Sequence, residues 1–423
     1  MASFLYITTI VVATISAFLY APIQRRIAIF GINRPLSSWQ NVHGIENRVI
    51  ENTIGCEDVH YHEPTGLLFT ACHGDIAKAA GWFPPGGAAK HPEDPSYGTL
   101  VVIDSKTFES KKLSLSSFEG PFVPHGISIY TSPSDPDTIY IFAVNHPPNP
   151  LWSAASPEQP PAASRIEVFK YVVGSDTATR LNTISHPLIR TPNDILALSE
   201  TEFLVTNDHH HYGGFMRIVE DLVHKPWTTL VYVRIGEDAA STTVEISSAE
   251  IVGNNGLGWG PNGQVLVSEA MAGRIVFTEL GSEHDRNLTI SHAIPADGVV
   301  DNPSFFSDPY TSVDGKDYSG YLLPGIGRML DFARHSSDPT GQTLIPSIVY
   351  YLPASAGKKE GRDTKPTLLF SDDGRALRGV TAALIVPIDP ATNDGRREGW
   401  LVSTGVIGPH MLATRIDFAT ALV

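Results

Sequence analysis

Short apolar runs separated by turn residues recur along the chain from about residue 45 onward. Val, Ile, Tyr, Phe and Thr dominate these runs, and Gly, Asp or Pro bounds them. This pattern is typical of β-strands. It predicts six units of paired strands, which are 66–72 with 98–104, 138–145 with 165–171, 202–208 with 230–235, 263–269 with 273–280, 319–324 with 327–334, and 399–405 with 410–416.

Six sheet units in a chain of 423 residues favour an all-β fold, a six-bladed β-propeller over residues 45–423. The units are spaced irregularly, at about 55 to 80 residues, which excludes a tight solenoid repeat. Two stacked β-sandwiches are the alternative, but they would not explain the repeated polar motif described below.

One amphipathic helix is predicted at 213–225. Its apolar residues at helical spacing are Phe215, Ile218, Val219 and Leu222. We expect this apolar face to pack against the propeller, with membrane contact as the alternative.

The first 24 residues carry no charged side chain, and residues 4–21 are almost continuously apolar. Eighteen helical residues span about 27 Å, close to the thickness of a bilayer core. The start of the chain lacks the basic residues of a signal peptide, and LYA at 19–21 is a poor cleavage site, so a retained signal-anchor helix is predicted at 1–24. Arg25 and Arg26 would keep the propeller in the cytosol by the positive-inside rule. Asn287 begins a glycosylation sequon, which favours a lumenal propeller instead.

The composition indicates a globular protein with a large core, since 42% of the residues are hydrophobic and 18% are charged. The formal net charge of −15 argues against nucleic acid as a partner, because phosphate binding requires a basic surface. The same charge suits a protein that holds cations, or one that simply stays soluble.

Cys56 and Cys72 are the only cysteines, too few for a disulfide scaffold or a cysteine-based zinc site. They flank the turn sequence YHEPTG at 61–66, so a hairpin over 56–72 would bring the two thiols near one another. Two free or buried thiols are the favoured interpretation, and a disulfide between them is the alternative.

Oxygen-bearing side chains occur in adjacent pairs at widely spaced places, each attached to an apolar run. Four such pairs are Glu57-Asp58, Asn193-Asp194, Asn254-Asn255 and Asp301-Asn302. In a propeller the innermost strands meet the central channel, where such side chains would converge on hard cations such as Ca²⁺. Neighbouring residues on a strand point to opposite sides, so one pair could serve two ions. Asn and Asp also favour turns, but four equivalent positions favour a metal site.

Histidines supply the candidate acid–base chemistry. The run at 209–211 suggests zinc, but consecutive residues on a strand cannot all face one ion, so that site is rejected. His125 and His146 lie near strand ends of one predicted blade, where they could act as a general base and its partner. A serine nucleophile is not supported, because the chain contains no G-x-S-x-G sequence.

From about Glu51 to its end, the chain resembles the serum paraoxonase/arylesterase family. The motifs that carry the resemblance, in order, are GCEDVHYHEPTGLLF, PHGISIYT, AVNHP, TPNDILAL, VTNDHHH, NNGLGWGPNGQVLVSE and VVDNPSFF. The N-terminal hydrophobic segment is also similar to that family. The resemblance implies a six-bladed propeller with two calcium ions in its central channel, one catalytic and one structural.

The resemblance also implies roles for individual residues. The catalytic calcium would be held by Glu57, Asn193, Asn255, Asp301 and Asn302. The structural calcium would be held by Asp58, Asp194 and the backbone carbonyl of Ile127. His125 would match the family's proposed base, with His146 as its partner. At the rim of the pocket would lie His209 and His410.

The implied activity is the hydrolysis of lactones and aryl esters, in which Ca²⁺ polarises the carbonyl and stabilises the developing oxyanion. The implied location is the secretory route or the cell exterior, where calcium suffices for weak sites. One alternative is a non-catalytic, calcium-locked propeller that binds a partner or lipid at the membrane. Another is a gluconolactonase-type hydrolase with one metal, against which Asp58 and Asp194 argue because one ion leaves them no role.

Two features depart from the family. No cysteine follows Cys72, so the propeller must close without the disulfide that ties the last strand in vertebrate members. The loop at 77–98, which in the family covers the active site, is longer than expected, so substrate size cannot be carried over.

Overall fold

The computed structural model describes residues 20–153, 159–223, 225–248, 251, 253–282, 285–335, 338 and 342–422. Within these residues, six sheets of four or five strands stand around a common centre. A seventh, two-stranded sheet lies in a loop. This architecture confirms the predicted six-bladed β-propeller.

The first three blades follow one another along the chain, and their strands run from the centre outward. Blade 1 consists of β2 (Cys56–His62), β3 (Leu67–Cys72), β6 (Thr99–Asp104) and β7 (Ser110–Lys112). Blade 2 consists of β9 (Pro124–Ser132), β10 (Asp135–Asn145), β11 (Arg165–Val172) and β12 (Thr177–Ile184), with β8 (Ser114–Ser116) at its outer edge. Blade 3 consists of β13 (Pro192–Ala197), β14 (Glu202–Asn207), β15 (Leu230–Arg234) and β16 (Thr243–Ser248).

The remaining blades complete the circle. Blade 4 consists of β17 (Asn254–Trp259), β18 (Gln264–Glu269), β19 (Arg274–Leu280) and β20 (Leu288–Pro295). Blade 5 consists of β21 (Val299–Val300) and β22 (Ser304–Phe306), which both pair with β23 (Gly320–Ile326), then β24 (Ser347–Pro353) and β25 (Thr367–Asp372). Blade 6 consists of β26 (Ala382–Pro387), β27 (Glu398–Thr404), β28 (Met411–Asp417) and β1 (Glu46–Ile50).

The circle closes through backbone hydrogen bonds. Strand β1, from the N-terminal side, adds to the outside of blade 6 by pairing antiparallel with β28. The Gly55 N–H also donates to the Gly408 carbonyl at 2.8 Å. The last blade is therefore tied to the first without a disulfide.

The core lies between adjacent blades. Phe142 and Val205 belong to one cluster that packs blade 2 against blade 3, and Leu322 and Leu401 belong to another between blades 5 and 6. Because the middle strands are covered on both faces, their sequences read as continuous apolar runs instead of alternating. This double burial explains why the strands could be recognised in the sequence.

The described residues outside the blades include five α-helices. They are α1 (20–29), α2 (Ile76–Gly81), α3 (Gly214–Val223), α4 (Met329–His335) and α5 (Phe418–Ala421). The small sheet in the loop pairs β4 (Trp82–Phe83) with β5 (Ala88–Ala89). Short 3₁₀ turns occur at Leu36–Ser38, Pro84–Gly86, Pro261–Gly263, Ala270–Ala272, Ala354–Gly357, Lys359–Gly361 and Pro390–Thr392.

Five of the six predicted strand pairs are confirmed by the pairing registers. The pairing of 319–324 with 327–334 is wrong, because β23 pairs with β24 and residues 329–335 form helix α4. The apolar side chains Met329 and Phe332 are three positions apart, which is helical spacing, and both line one cavity. Within the same turn, Arg328 Nε bonds the Asp331 carboxylate.

The helix predicted at 213–225 is confirmed as α3, but the prediction that its apolar face packs inward is wrong. Phe215 and Ile218 are 75% and 57% exposed, whereas Arg217 and Glu220 are buried. The buried charges have partners that turn them inward: both Glu220 oxygens accept backbone N–H groups of the preceding loop, and Arg217 donates to the Pro85 carbonyl.

The segment between the predicted anchor and the propeller is docked on the propeller. Arg25 Nη2 donates to the carbonyls of Gly273 and Ala296, at 2.7 Å each, and Ile29 is buried against blade residues. The predicted signal-anchor at 1–24 falls almost entirely outside the described residues, since these begin at Tyr20. None of the helices in the described part of the chain is long and apolar enough to span a bilayer.

Candidate functional site

The paired polar residues meet where the innermost strands begin. Glu57 and Asp58 lie near the start of β2, Asn193 and Asp194 lie near the start of β13, and Asn255 is the second residue of β17. Asp301 and Asn302 lie between β21 and β22. Adjacent innermost strands contact one another around the circle, so these side chains converge at the channel.

Five oxygens in this cluster lack a hydrogen-bond partner among the described residues although they are shielded from solvent. They are Glu57 Oε2, Asn193 Oδ1, Asn255 Oδ1, Asp301 Oδ1 and Asn302 Oδ1. An unpartnered buried acceptor lowers the stability of the fold by about 1–3 kcal/mol. Five of them in one cluster therefore indicate that a ligand binds there. These are the side chains that the resemblance assigns to the catalytic calcium.

The amide nitrogens of two of these residues are already used. Asn302 Nδ2 donates to Glu57 Oε1 at 2.7 Å, and Asn193 Nδ2 lies 2.9 Å from His125 Nε2. Because both nitrogens are engaged, each amide oxygen can accept a hydrogen bond or bind a cation. The geometry therefore fits a cation that prefers oxygen.

Burial and mutual repulsion raise the pKa of three channel carboxyls. Burial raises the pKa of Glu57 well above its usual range, and the charges of Asp301 and other neighbouring aspartates add to it. Burial also raises the pKa values of Asp194 and Asp301, with further repulsion from Asp58. A divalent cation would offset this repulsion.

The donor set resembles a calcium site more than a transition-metal site. Among the described residues, no group of three or more His, Cys, Asp or Glu side chains is arranged to hold a metal. Three of the five unpartnered oxygens belong to Asn side chains, and the other two to carboxylates. Calcium accepts amide and carboxylate oxygens readily, whereas zinc favours nitrogen and sulfur.

The second predicted set, Asp58, Asp194 and the Ile127 carbonyl, is also brought together, but its atoms have partners. The Asp58 Oδ1 accepts from Val59 N at 2.7 Å, and the Asp194 carboxylate accepts from Ile195 N at 2.7 Å. His60, which the sequence analysis does not single out, contacts this set. Alternation along β2 places it on the same side as Asp58, which is the signal that could have identified it.

Three buried histidines lie together beside the channel. The His125 and His146 ring centroids are 5.7 Å apart, and His73 contributes to lowering the pKa of His125. Burial, with repulsion from His146, lowers the pKa of His73 to about 3. Burial lowers that of His146 to about 4, and that of His125 well below its ordinary value. All three rings are therefore neutral at pH 7, and His73 is an addition to the predicted pair.

The hydrogen bonds of these rings define which nitrogens are available. His146 Nδ1 bonds Ser164 Oγ at 2.9 Å and His73 Nδ1 bonds Ser96 Oγ at 2.8 Å. Their Nε2 atoms, and His125 Nδ1, have no partner among the described residues. Because Asn193 Nδ2 faces His125 Nε2, that nitrogen accepts and Nδ1 carries the hydrogen.

His209 lines the cavity within a charged network. Its Nδ1 lies 2.9 Å from Asp208 Oδ2 and its Nε2 lies 2.8 Å from Asp221 Oδ1. Burial opposes protonation, but the charge of Asp208 and both hydrogen-bonding carboxylates raise the pKa of His209 to about 9. His410, also predicted at the rim, does not line this cavity and instead bonds the Ala376 carbonyl at 3.0 Å.

A cavity of about 270 Å³ adjoins the calcium candidates. Asn193, Asn255 and Asp301 belong to its polar part, which also includes His125, His209, Asp208, Arg217 and Asp221. Its apolar wall comes from the loop after β3, blades 4 to 6 and α4, and includes Phe83, Met271, Val299, Ile326, Phe332 and Ile407. His335 on α4 also lines it, a contribution missed because α4 was interpreted as a strand.

Cys56 and Cys72 form a disulfide, so the favoured interpretation of free thiols is wrong. The two residues face one another in the register of β2 and β3. Because Cys56 precedes Glu57, the bond fixes the strand that carries the first calcium candidate. The predicted glycosylation site, Asn287, is exposed just before β20, and its modification stays a prediction.

Comparison with known proteins identifies chains that are similar to this one. The arylesterase family model matches residues 77–311. Serum paraoxonase/arylesterase 2 of Gallus gallus is 28% identical over 78% of this chain and 80% of its own length. Serum paraoxonase/lactonase 3 of Oryctolagus cuniculus is 25% identical over 81% of this chain and 82% of its own.

Among solved structures, a luciferin-regenerating enzyme aligns over 89% of this chain and 95% of its own. Its TM-score is 0.45 and its sequence identity is 10%. The fold assignment rests on the strand pairing described above, and not on this likeness.

Proposed function

Because the chain belongs to the arylesterase family, we propose that it is a calcium-dependent hydrolase of lactones and aryl esters. The observation that carries this proposal is the cluster of unpartnered oxygens on Glu57, Asn193, Asn255, Asp301 and Asn302 beside the cavity. Calcium, when bound there, would polarise the substrate carbonyl and stabilise the developing oxyanion.

The cavity wall would bind the apolar part of the substrate. Phe83, Met271 and Phe332 offer apolar surface, and polar side chains such as Asn193, Asn255 and Asp301 line another part of the cavity. This combination is typical of small-molecule sites, in which apolar contacts give affinity and a few polar groups orient the ligand. Such a wall would also shield the apolar part of the substrate from bulk water.

His125 is the proposed base for the attacking water. It lines the cavity and its neutral ring accepts at Nε2, the atom that now faces Asn193 Nδ2. This nitrogen would take the proton of water once it is released from Asn193 Nδ2, after which both ring nitrogens would carry hydrogen. His146 packs against His125 and would position its ring.

We also propose that the propeller is made in the secretory route. The Cys56–Cys72 disulfide supports an oxidising compartment, and the exposed Asn287 sequon is compatible with it. Membrane attachment through the N-terminal segment is part of the same proposal, supported by the uncharged first 24 residues.

The test compares two asparagine variants. Asn255→Ala removes one unpartnered oxygen, and the exposed Asn182→Ala on β12 is the matched control. We expect Asn255→Ala to weaken calcium binding and to lower kcat/KM for phenyl acetate and a γ-lactone by at least about 100-fold. Asn182→Ala should behave as wild type. Calcium-loaded wild type that hydrolyses none of these substrates would instead support a non-catalytic propeller.

A further inference from the structure

The second predicted calcium set differs from the first in having its oxygens occupied by protein donors. Asp194 Oδ2 accepts from Leu257 N at 2.6 Å, and Asp58 Oδ2 accepts from Ile127 N at 3.3 Å. By contrast, each residue of the first set keeps one oxygen without a partner in the described part of the chain.

The side chain of His60 occupies the space between two of these oxygens. Its Nε2 lies 2.9 Å from Asp58 Oδ2 and 2.7 Å from the Ile127 carbonyl oxygen. Both neighbours are acceptors, so Nε2 carries a hydrogen and bridges them. The ring is partly buried, with a quarter of its side chain exposed.

A calcium ion could not share this position with the ring. Bonded to both Asp58 Oδ2 and the Ile127 carbonyl, it would lie about 2.3–2.6 Å from each oxygen. The Nε2–H of His60 already lies at comparable distances from both atoms. A hydrogen-bearing ring nitrogen is also no ligand for calcium, which prefers oxygen.

Asp58 and Asp194 have a role that needs no second ion. The Asp58 carboxylate on β2 accepts a hydrogen bond from the Ile127 N–H of β9. The Asp194 carboxylate on β13 accepts one from the Leu257 N–H of β17. Each carboxylate thus joins the innermost strands of neighbouring blades. This removes the argument that one ion would leave the two aspartates without a purpose.

We infer that this chain binds one calcium ion, at the set containing Glu57 and Asn255, and that His60 occupies the place of the second. The inference rests on the proposed function, because it takes calcium to be the ion of the first set. It differs from the two ions that the family resemblance implies.

Equilibrium dialysis of the full chain against saturating calcium would count the bound ions directly. We expect one ion per wild-type chain, and two in His60→Ala, which vacates the bridging position. His91→Ala, an exposed histidine, is the matched control and should hold one ion. Two ions in wild type, or one ion in folded His60→Ala, would overturn the inference.

If His60→Ala does not fold, the number of calcium ions is tested with variants of two proposed or rejected ligands. Asp58→Asn should bind one ion, the same number as wild type, whereas Asn255→Ala should abolish or greatly weaken binding of that ion. Loss of the ion in Asp58→Asn would overturn the inference. One bound ion without turnover would contradict only the proposed function, and no bound ion at all would overturn both.

Discussion

Asn302 Nδ2 donates a 2.7 Å hydrogen bond to Glu57 Oε1, joining positions that are 245 residues apart in the sequence. The bond connects the innermost strand of blade 1 with blade 5 across the channel. It fixes the Glu57 carboxylate with its other oxygen, Oε2, unpartnered among the described residues. The Asn302 amide oxygen is also unpartnered among the described residues. This one hydrogen bond therefore orients two candidate calcium ligands.

Gly256 makes room for this arrangement. A Cβ at Gly256 would lie 2.4 Å from both Cα and Oδ1 of Asn302. We therefore expect Gly256→Ala to displace Asn302 and to weaken calcium binding by about 10- to 100-fold, the usual loss when a ligand is misplaced. Isothermal titration with calcium measures this.

Gly213→Ala is the matched control for that variant. A Cβ at Gly213 meets nothing within 4 Å. It should bind calcium as wild type does. Equal calcium affinity in the two variants would contradict the assignment of Asn302 as a ligand.

The Cys56–Cys72 disulfide closes a loop with a sequence separation of 16 beside Glu57. We expect the double variant Cys56→Ser/Cys72→Ser to lose about 3 kcal/mol of unfolding free energy, since a loop of this size is constrained in the unfolded chain. Urea unfolding with calcium present gives the value. Stability unchanged from wild type would show that the bond does not constrain the chain.

His209 should make stability depend on pH on the alkaline side. Its folded pKa of about 9 lies above the ordinary value of 6.5, so its contribution is complete below about pH 6.5 and is lost as pH rises through 9. The full contribution is about 3 kcal/mol. Unfolding free energies at several pH values measure it. In His209→Gln this decline should flatten, whereas the exposed His91→Gln should keep it.

Ile29 ties the N-terminal segment to the propeller near the cavity. It is 1% exposed and packs in a cluster with Phe83 and Val406. We expect Ile29→Ala to lower the unfolding free energy by about 2–5 kcal/mol. Ile32→Ala, at a position 49% exposed, should have little effect. Equal effects in denaturant unfolding would show that the segment is only loosely attached, and a chain starting at residue 45 would then suffice.

The strands and the channel residues could be predicted because local sequence determines them. Middle strands buried on both faces give continuous apolar runs, and polar pairs such as Asn193-Asp194 mark where the innermost strands begin. Helix α4 is not predicted, because its short apolar run also fits a strand, and only the cavity that Met329 and Phe332 share shows that the helical spacing applies.

The disulfide shows a different limit. Val59 pairs with Thr70, and extending that register would place Cys56 opposite His73. An irregularity between Cys56 and Val59 shifts the pairing by one residue, which brings Cys72 opposite Cys56. Residue spacing alone does not reveal such a bulge. The role of His60 was likewise missed, because it depends on the Ile127 carbonyl of the next blade.

The most direct test of the central claim is the hydrolysis of phenyl acetate and a panel of lactones by the full chain. Rates are compared before EDTA, after EDTA and after calcium is restored. Calcium-dependent catalysis predicts turnover that EDTA abolishes and calcium recovers, because the channel oxygens would lose and regain their cation. Turnover that persists unchanged after removal of all bound calcium would contradict it.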